Sequence, residues 1–390
     1  MINVEAARAQ IPATQHGIYM NTGWSGPSPT PVIEAIKAQL ELDATLGPAS
    51  PGALSAQREI NVTTRAEVAA LLGAAVEEIA LLENTTEGIN VVLNGMHWEP
   101  GDEVITFAIE HSSVLIPTVY LQRQGVLPKV IEIAPDEPHD SILAKLDAAL
   151  NVRTRLVALS YVQYGSGLRM PVIGICERAH AGGARVLTDA AQAVGQVQVD
   201  LSTVPVDYFA MPGQKWLLGP DGTGALFVRQ SLIEELEPRK VAGGAGHYDV
   251  PTGVLERRTN STRKFELTTS SPALRAGLRA AIRFIREAGL SEIEARNSKL
   301  ATRAKAMLGD VPGVTILSPL DPAIATGLVT FQIADVPNSD AVGALWERWR
   351  LAARSVAELG AVRVSLHFFN TESEVEQLVD AARQLATGAV

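Results

Sequence analysis

Cysteine is nearly missing from this chain. Cys176 is the single one in 390 residues, so no intrachain disulfide can form, and a reducing, cytoplasmic setting is expected. No apolar run reaches the roughly 18 residues of a membrane span, and the opening MINVEAARAQIPATQHG lacks the basic start and apolar stretch of a signal peptide. Positive charge is in deficit: the formal net charge of −10 disfavours nucleic acid and anionic membrane surfaces, which both call for a basic face. The seven histidines form no HExxH pair and there is no CxxC, so no metal site is expected. A GxSxG elbow, a Walker loop and a strand-to-helix GxGxxG are also missing, and the GSG at 165–167 is too little for a dinucleotide. Internal repeats and low-complexity tracts are absent.

What remains is the composition of a large globular enzyme, with 46% hydrophobic and 19% charged residues, long enough for about two domains. From about residue 60 to 230, strand-like runs (103–109, 128–133, 154–162, 184–190, 206–212, 223–229) alternate with amphipathic stretches, among them 86–95, 141–150 and 172–181. This alternation predicts an α/β fold with a mostly parallel sheet covered by helices on both faces. After about residue 270, helical stretches at 272–287 and 291–308 precede the runs GVTIL, GLVTFQI and VRVSLHF and a last helix from Glu372, which predicts a smaller α+β domain. The glycine-rich 243–253 segment is expected to be a mobile loop. Ligands of open α/β sheets bind beyond the carboxyl ends of the strands, so chemistry is sought there.

Lys215 follows such a strand end, in DYFAMPGQKWLLGPDGTGALFV. Partial desolvation there lowers an amine's pKa and makes it nucleophilic; an ordinary surface lysine before a glycine turn reads the same. Asp189 closes the strand ARVLTD, where it could pair with a ligand cation or cap a following helix. Gln192, a turn later, could reach a ring hydroxyl. In LLENTTEGIN, Asn84 and Glu87 have capping-box spacing, and Thr85 and Thr86 gather hydroxyls and free amides at a helix start, either an anion site or a plain helix opening. His111, in EHSS, could stack on a flat ring or serve the structure alone. Cys176, in VIGICERAH, reads as buried packing.

Taken together and in this order, NTTEGIN, EHSS, SYVQYGSG, TDAAQAVG and GQKWLLGPDGTGAL resemble the class V aminotransferase family of fold-type I pyridoxal phosphate (PLP) enzymes, which includes the cysteine desulfurases. The likeness runs from YMNTGWSGPSP to the C-terminal RVSLHFFNTESEVEQL. It implies a large PLP-binding domain over 16–268 and a small domain from 1–15 and 269–390. Lys215 would carry the cofactor as a Schiff base, with Asp189 on the pyridine nitrogen, Gln192 on the ring oxygen and His111 stacked on the ring. Thr85 and Thr86 would hold the phosphate, with Gln214 and Tyr164 as further cofactor contacts. Thr269 would reach the phosphate of the other subunit, which implies a homodimer with active sites at its interface. Arg354 would grip a substrate carboxylate and Arg363 would be a second substrate arginine, a role known in some lyase members. Trp24, in the WSG segment, joins them as a substrate-binding candidate.

The sequence departs from the family pattern at three places. Gln214 stands where many members have histidine, Tyr164 where asparagine or tryptophan is usual, and no cysteine follows Cys176 to accept sulfur as a persulfide. The Arg354 and Arg363 pair, the WSG segment and the missing cysteine most resemble the cysteine/cystine C–S lyase branch of the family, which implies β-elimination on a small amino acid such as cysteine or cystine. Transamination to an oxo acid and an epimerisation similar to the isopenicillin N type are the alternatives.

Overall fold

The computed structural model describes residues 2–388. Its centre is a seven-stranded sheet made of β1 (Ile79–Leu82), β2 (Glu103–Phe107), β3 (Leu127–Ile131), β4 (Thr154–Ser160), β5 (Arg185–Asp189), β6 (Tyr208–Pro212) and β7 (Gly224–Val228), in the order β1-β7-β6-β5-β4-β2-β3. The five strands from β6 to β3 pair in parallel, whereas β7 runs antiparallel to both neighbours. The expected strands are all present, one or two residues shorter at several ends.

Period-two alternation divides these strands between two cores. Along β4, Leu156 and Ala158 join one core while Val157 and Leu159 join the other. Helix α3 (Thr85–Gly95) covers the first face with Ile89, Val92 and Leu93. On the second lie α2 (Pro51–Leu72), through Val68 and Leu72, and α6 (Val172–Ala181), through Ile175, Cys176 and Ala179. Burial on both faces is why the strands read as near-continuous apolar runs. Cys176 is fully buried packing, and burial pushes its thiol up to about 12.

A second, four-stranded antiparallel sheet contains β8 (Val314–Ile316), β9 (Leu328–Ile333), β10 (Arg354–Val356) and β11 (Ala361–Ser365), ordered β8-β9-β11-β10. Its core holds Val329, Phe331, Val362 and Val364 against helices α8 (Leu290–Gly309) and α10 (Glu372–Ala386), and Ile18 and Met20 from the N-terminal segment pack there too. That segment pairs Ile18–Tyr19 with Leu351–Ala352 before crossing towards the large sheet.

One local expectation is corrected. No helix follows Asp189; the chain turns, and Asp189 Oδ1 accepts from the Ala191 amide at 2.7 Å. Within the glycine-rich 243–253 segment, Gly246–Asp249 pairs antiparallel with Val254–Arg257 as a hairpin. Among the described residues, no helix is long and apolar enough to cross a membrane, and no group of three or more His, Cys, Asp or Glu side chains could hold a metal ion.

Candidate active site

The parallel register sets Ser160 of β4 beside Asp189 of β5, and Asp189 beside Ala210 of β6. Three strands thus end together at one rim, and the loop after β6 carries Lys215 into the space beyond it. This loop is tied on itself: the Gly213 amide donates to Thr223 O at 2.8 Å, that of Leu218 to Lys215 O at 3.0 Å, and that of Gly219 to Gly213 O at 2.9 Å. The turn drives Leu218 into left-handed backbone (φ 61°), where a branched side chain is strained. The N-terminal segment crosses directly over it, with the Gly26 amide donating to Gln214 O at 2.6 Å. A Cβ at Gly26 would lie 2.3 Å from Lys215 O, so only glycine permits the crossing.

A cavity of about 250 Å³ opens above the rim, near the lower end of the roughly 300–1,000 Å³ usual for small-molecule sites. It is lined by Lys215, Asp189, His111, Thr85, Thr86, Gln192, Gln214, Tyr164, Arg354 and Trp24. Of the residues singled out in the sequence, Arg363 and Thr269 are not in that wall. Arg363 is fully buried, pairing with Arg354 on the neighbouring strand. Thr269 stands exposed in a left-handed conformation (φ 63°), away from this cavity.

Lys215 is no surface lysine. Burial lowers its amine to about 8, opposed by the Asp189 charge and reinforced by Arg363 and Arg354. Asp189, 4% exposed, is pushed up by burial and pulled back by Lys215 and the Ala191 amide. His111 caps α4 (Ser112–Tyr120): its Nδ1 accepts from the Ser113 amide at 3.2 Å. That bond assigns the proton of the neutral ring to Nε2. Burial first, then Lys215, Arg354 and Arg363, hold the imidazole down at about 4, so it is uncharged at neutral pH. Its ring meets Tyr164 edge-on, with centroids 5.0 Å apart and planes at 88°.

The polar atoms here leave room for a guest. Thr85 Oγ1 and Gln214 Oε1 are buried without a hydrogen-bond partner, and buried polar atoms are rarely left so. Both residues line the cavity together with the N-terminus of α3, whose first amides have no intrahelical acceptor. Asn84 Oδ1 takes the Glu87 amide at 2.9 Å, and the Glu87 carboxylate folds back onto the Glu83 amide at 2.9 Å, half of the expected capping box and out of an anion's way. Gln214 can turn its amide to offer Nε2 instead of Oε1. Gln192 is already engaged, its Nε2 on Gly23 O and its Oε1 taking Trp216 Nε1, both at 2.8 Å. An amine, a buried carboxylate and an anion cradle at a helix start, all in one cavity, together suit a phosphorylated, aldehyde-bearing aromatic ring.

At the cavity's other end Arg354 and Arg363 pair across β10 and β11. Arg363 Nη1 donates to Tyr164 O at 2.6 Å, while its Nε and Nη2 and the Nε of Arg354 have no acceptor. Burial holds Arg363 down at about 9. Trp24 lies 4.0 Å from the Arg354 guanidinium carbon, face to cation. Tyr164 is raised to about 12 by burial and by a hydrogen bond to Glu358.

The model of the aminotransferase class-V family matches residues 18–378, nearly the whole chain. The chain belongs to the aminotransferase class-V family. Within that family it is 30% identical to a probable cysteine desulfurase of Methanothermobacter thermautotrophicus, over 99% of this chain and 98% of that protein. It is 32% identical to the isopenicillin N epimerase of Streptomyces clavuligerus, over 97% of each. Among solved structures, the cystine C–S lyase C-DES with its product cysteine persulfide superposes with a TM-score of 0.90 at 27% identity, covering 96% of this chain and 99% of that one. The expected class-V fold is thereby established, down to the C-terminal small sheet.

Residues of this class-V site that the sequence did not single out include Glu110, Ser160 and Glu358. Glu110 was visible in the EHSS segment, beside the histidine. Glu358 sits between the two arginines in sequence, but its link to Tyr164 exists only in three dimensions.

Proposed function

We propose that this protein is a PLP-dependent enzyme acting on a small amino acid, and that its reaction is β-elimination of the cysteine or cystine C–S lyase type. The observation that carries the reading is Lys215 and Asp189 in one cavity, together with the anion cradle at the start of α3 and Arg354, which pairs with Arg363 across the strands.

Lys215 Nζ would hold the cofactor through its aldehyde, and the lowered pKa keeps part of the amine neutral and nucleophilic. Asp189 would pair with the ring nitrogen and keep it protonated, while Thr85, Thr86 and the first amides of α3 would hold the phosphate, with Gln214 as a further donor. When bound, PLP supplies an electron sink conjugated to the substrate's Cα. Arg354 and Arg363 bind the substrate carboxylate and so orient the Cα–H bond. Lys215 Nζ, in the same cavity, would serve as the base for the Cα proton. His111, uncharged, would cover the ring face without adding a cation to those of Lys215, Arg354 and Arg363.

Three observations support elimination. No cysteine follows Cys176, which leaves no thiol to carry a persulfide; the paired arginines suit a compact substrate; and C-DES is a structural neighbour. Epimerisation is a second reading, supported by the likeness to the Streptomyces relative. Thr269 is exposed and outside this cavity's wall, and its resemblance to the family's phosphate contact from the other subunit supports a homodimer as the working unit.

Borohydride reduction of the holoenzyme followed by peptide mapping tests the covalent link; modification elsewhere than Lys215, or none, sinks the reading. Product analysis with L-cystine, L-cysteine, and L-alanine plus an oxo acid then separates the reactions. Pyruvate and ammonia mark elimination, a new amino acid marks transamination, and a racemised substrate marks epimerisation.

A further inference from the structure

Glu110 is a buried carboxylate for which the chemistry above has no use. It is 4% exposed, one residue before His111. Its oxygens accept the Ser160 amide at 2.9 and 3.0 Å, the Ser160 hydroxyl in a short bond, and Gln163 Nε2 at 2.8 Å. All of these donors are neutral, and the charged group that bears on it is another carboxylate, Asp189. A buried anion without a cation is costly, so its retention needs a reason.

Its position supplies one. Ser160 lines the cavity and is the register partner of Asp189. Gln163 precedes Tyr164, whose ring meets that of His111 and whose carbonyl takes Arg363 Nη1. One side chain therefore joins three strand ends: the segment of His111, the 160–164 segment, and through Ser160 the end of β5.

We propose that Glu110 is a positioning residue for the cofactor site, which aligns His111 and the Ser160–Tyr164 segment against the bound ring through hydrogen bonds rather than through its charge. The proposal rests on the reading of the cavity as a PLP site. Gln163 Oε1 is buried without a partner. If Glu110 carries a proton, or is replaced by glutamine, a turn of the Gln163 amide lets Oε1 accept from it and keeps the network whole. Burial does push Glu110 up to about 7, so the protonated form is within reach.

The test uses apo-protein titrated with PLP, followed by the circular dichroism that the asymmetric site induces in the bound cofactor, with thermal unfolding of the apo-proteins as control. Wild-type binding of PLP at Lys215 is the entry condition, and its failure would indict the cofactor reading, not Glu110. Given that binding, Glu110→Ala is expected to bind PLP at least tenfold more weakly with an altered induced signal, and Glu110→Gln to restore both to within about threefold of wild type. Wild-type affinity and signal in Glu110→Ala would overturn the proposal, as would a Glu110→Gln variant as impaired as alanine, since charge would then be the active property. Should Glu110→Ala not fold, Glu110→Gln alone and combined with Gln163→Leu replaces it. The double variant is expected to lose affinity and signal that the single one keeps; equal behaviour of the two overturns the proposal.

Discussion

Arg354 and Arg363 are register partners across an antiparallel strand pair, and both carry guanidinium nitrogens with no acceptor. Two cations side by side in a partly desolvated place repel each other, and a carboxylate bound between them relieves both the repulsion and the missing bonds. Hydrogen bonds to charged groups contribute about 1.5–3 kcal/mol each. Arg354→Ala is therefore expected to lower kcat/KM roughly 10- to 100-fold, mainly through KM. Arg363→Ala is expected to cost more and to reduce kcat too, since it also frees Tyr164 O. Steady-state kinetics on L-cystine checks both, and an unchanged KM in either variant would remove that arginine from substrate binding.

Trp24 braces Arg354 through its ring face at 4.0 Å. Partly exposed cation–π contacts stabilise by about 0.5–2 kcal/mol. Trp24→Ala should raise KM by roughly 2- to 30-fold and leave PLP binding at the wild-type level, measured by the same titration used for the apo-protein. Loss of PLP affinity instead would move Trp24 from substrate to cofactor.

The amine of Lys215 is held down to about 8 from the ordinary 10.5. Its neutral form attacks the aldehyde. The rate of PLP capture by apo-protein should thus rise with pH up to a midpoint near 8 and level off above it. The Asp189 charge raises that midpoint, so Asp189→Asn is expected to shift it downward. Stopped-flow absorbance across the pH range measures both, and a midpoint above 10 would mean the lysine is not desolvated.

The crossing at Gly26 leaves no room for a methyl group, because its Cβ would meet Lys215 O at 2.3 Å. Overpacking of this kind costs about 1–3 kcal/mol. Gly26→Ala is expected to lower the melting temperature by several degrees and to weaken PLP binding by displacing the loop. A variant with wild-type melting and affinity would show that the N-terminal segment does not fix the lysine.

Thr269 belongs to the partner's site under the proposed dimer. Thr269→Val should weaken PLP binding several-fold without altering this chain's own cavity wall. Mixed dimers of Lys215→Ala and Thr269→Val subunits should contain one class of site with both lesions and one with neither, restoring about half-normal affinity sites. Sedimentation as a monomer would refute the arrangement.

The sequence by itself determined the alternation of buried strands and amphipathic helices, because strand and helix periods are local properties of the chain. It also carried Lys215, Asp189, Thr85 and His111, because each stands at a strand end or helix start that such patterning reveals. Tertiary structure alone decided which of them share a cavity. Asp189 lacks a helix to cap, a fact fixed by the turn packed beneath it. Arg363 is buried rather than solvated because β11 lies between β9 and β10, and the link from Glu110 to Ser160 joins residues 50 positions apart. Periodicity records which face a side chain takes; which distant polar atoms meet on that face depends on how the strands are ordered in the sheet, and no stretch of sequence contains that order.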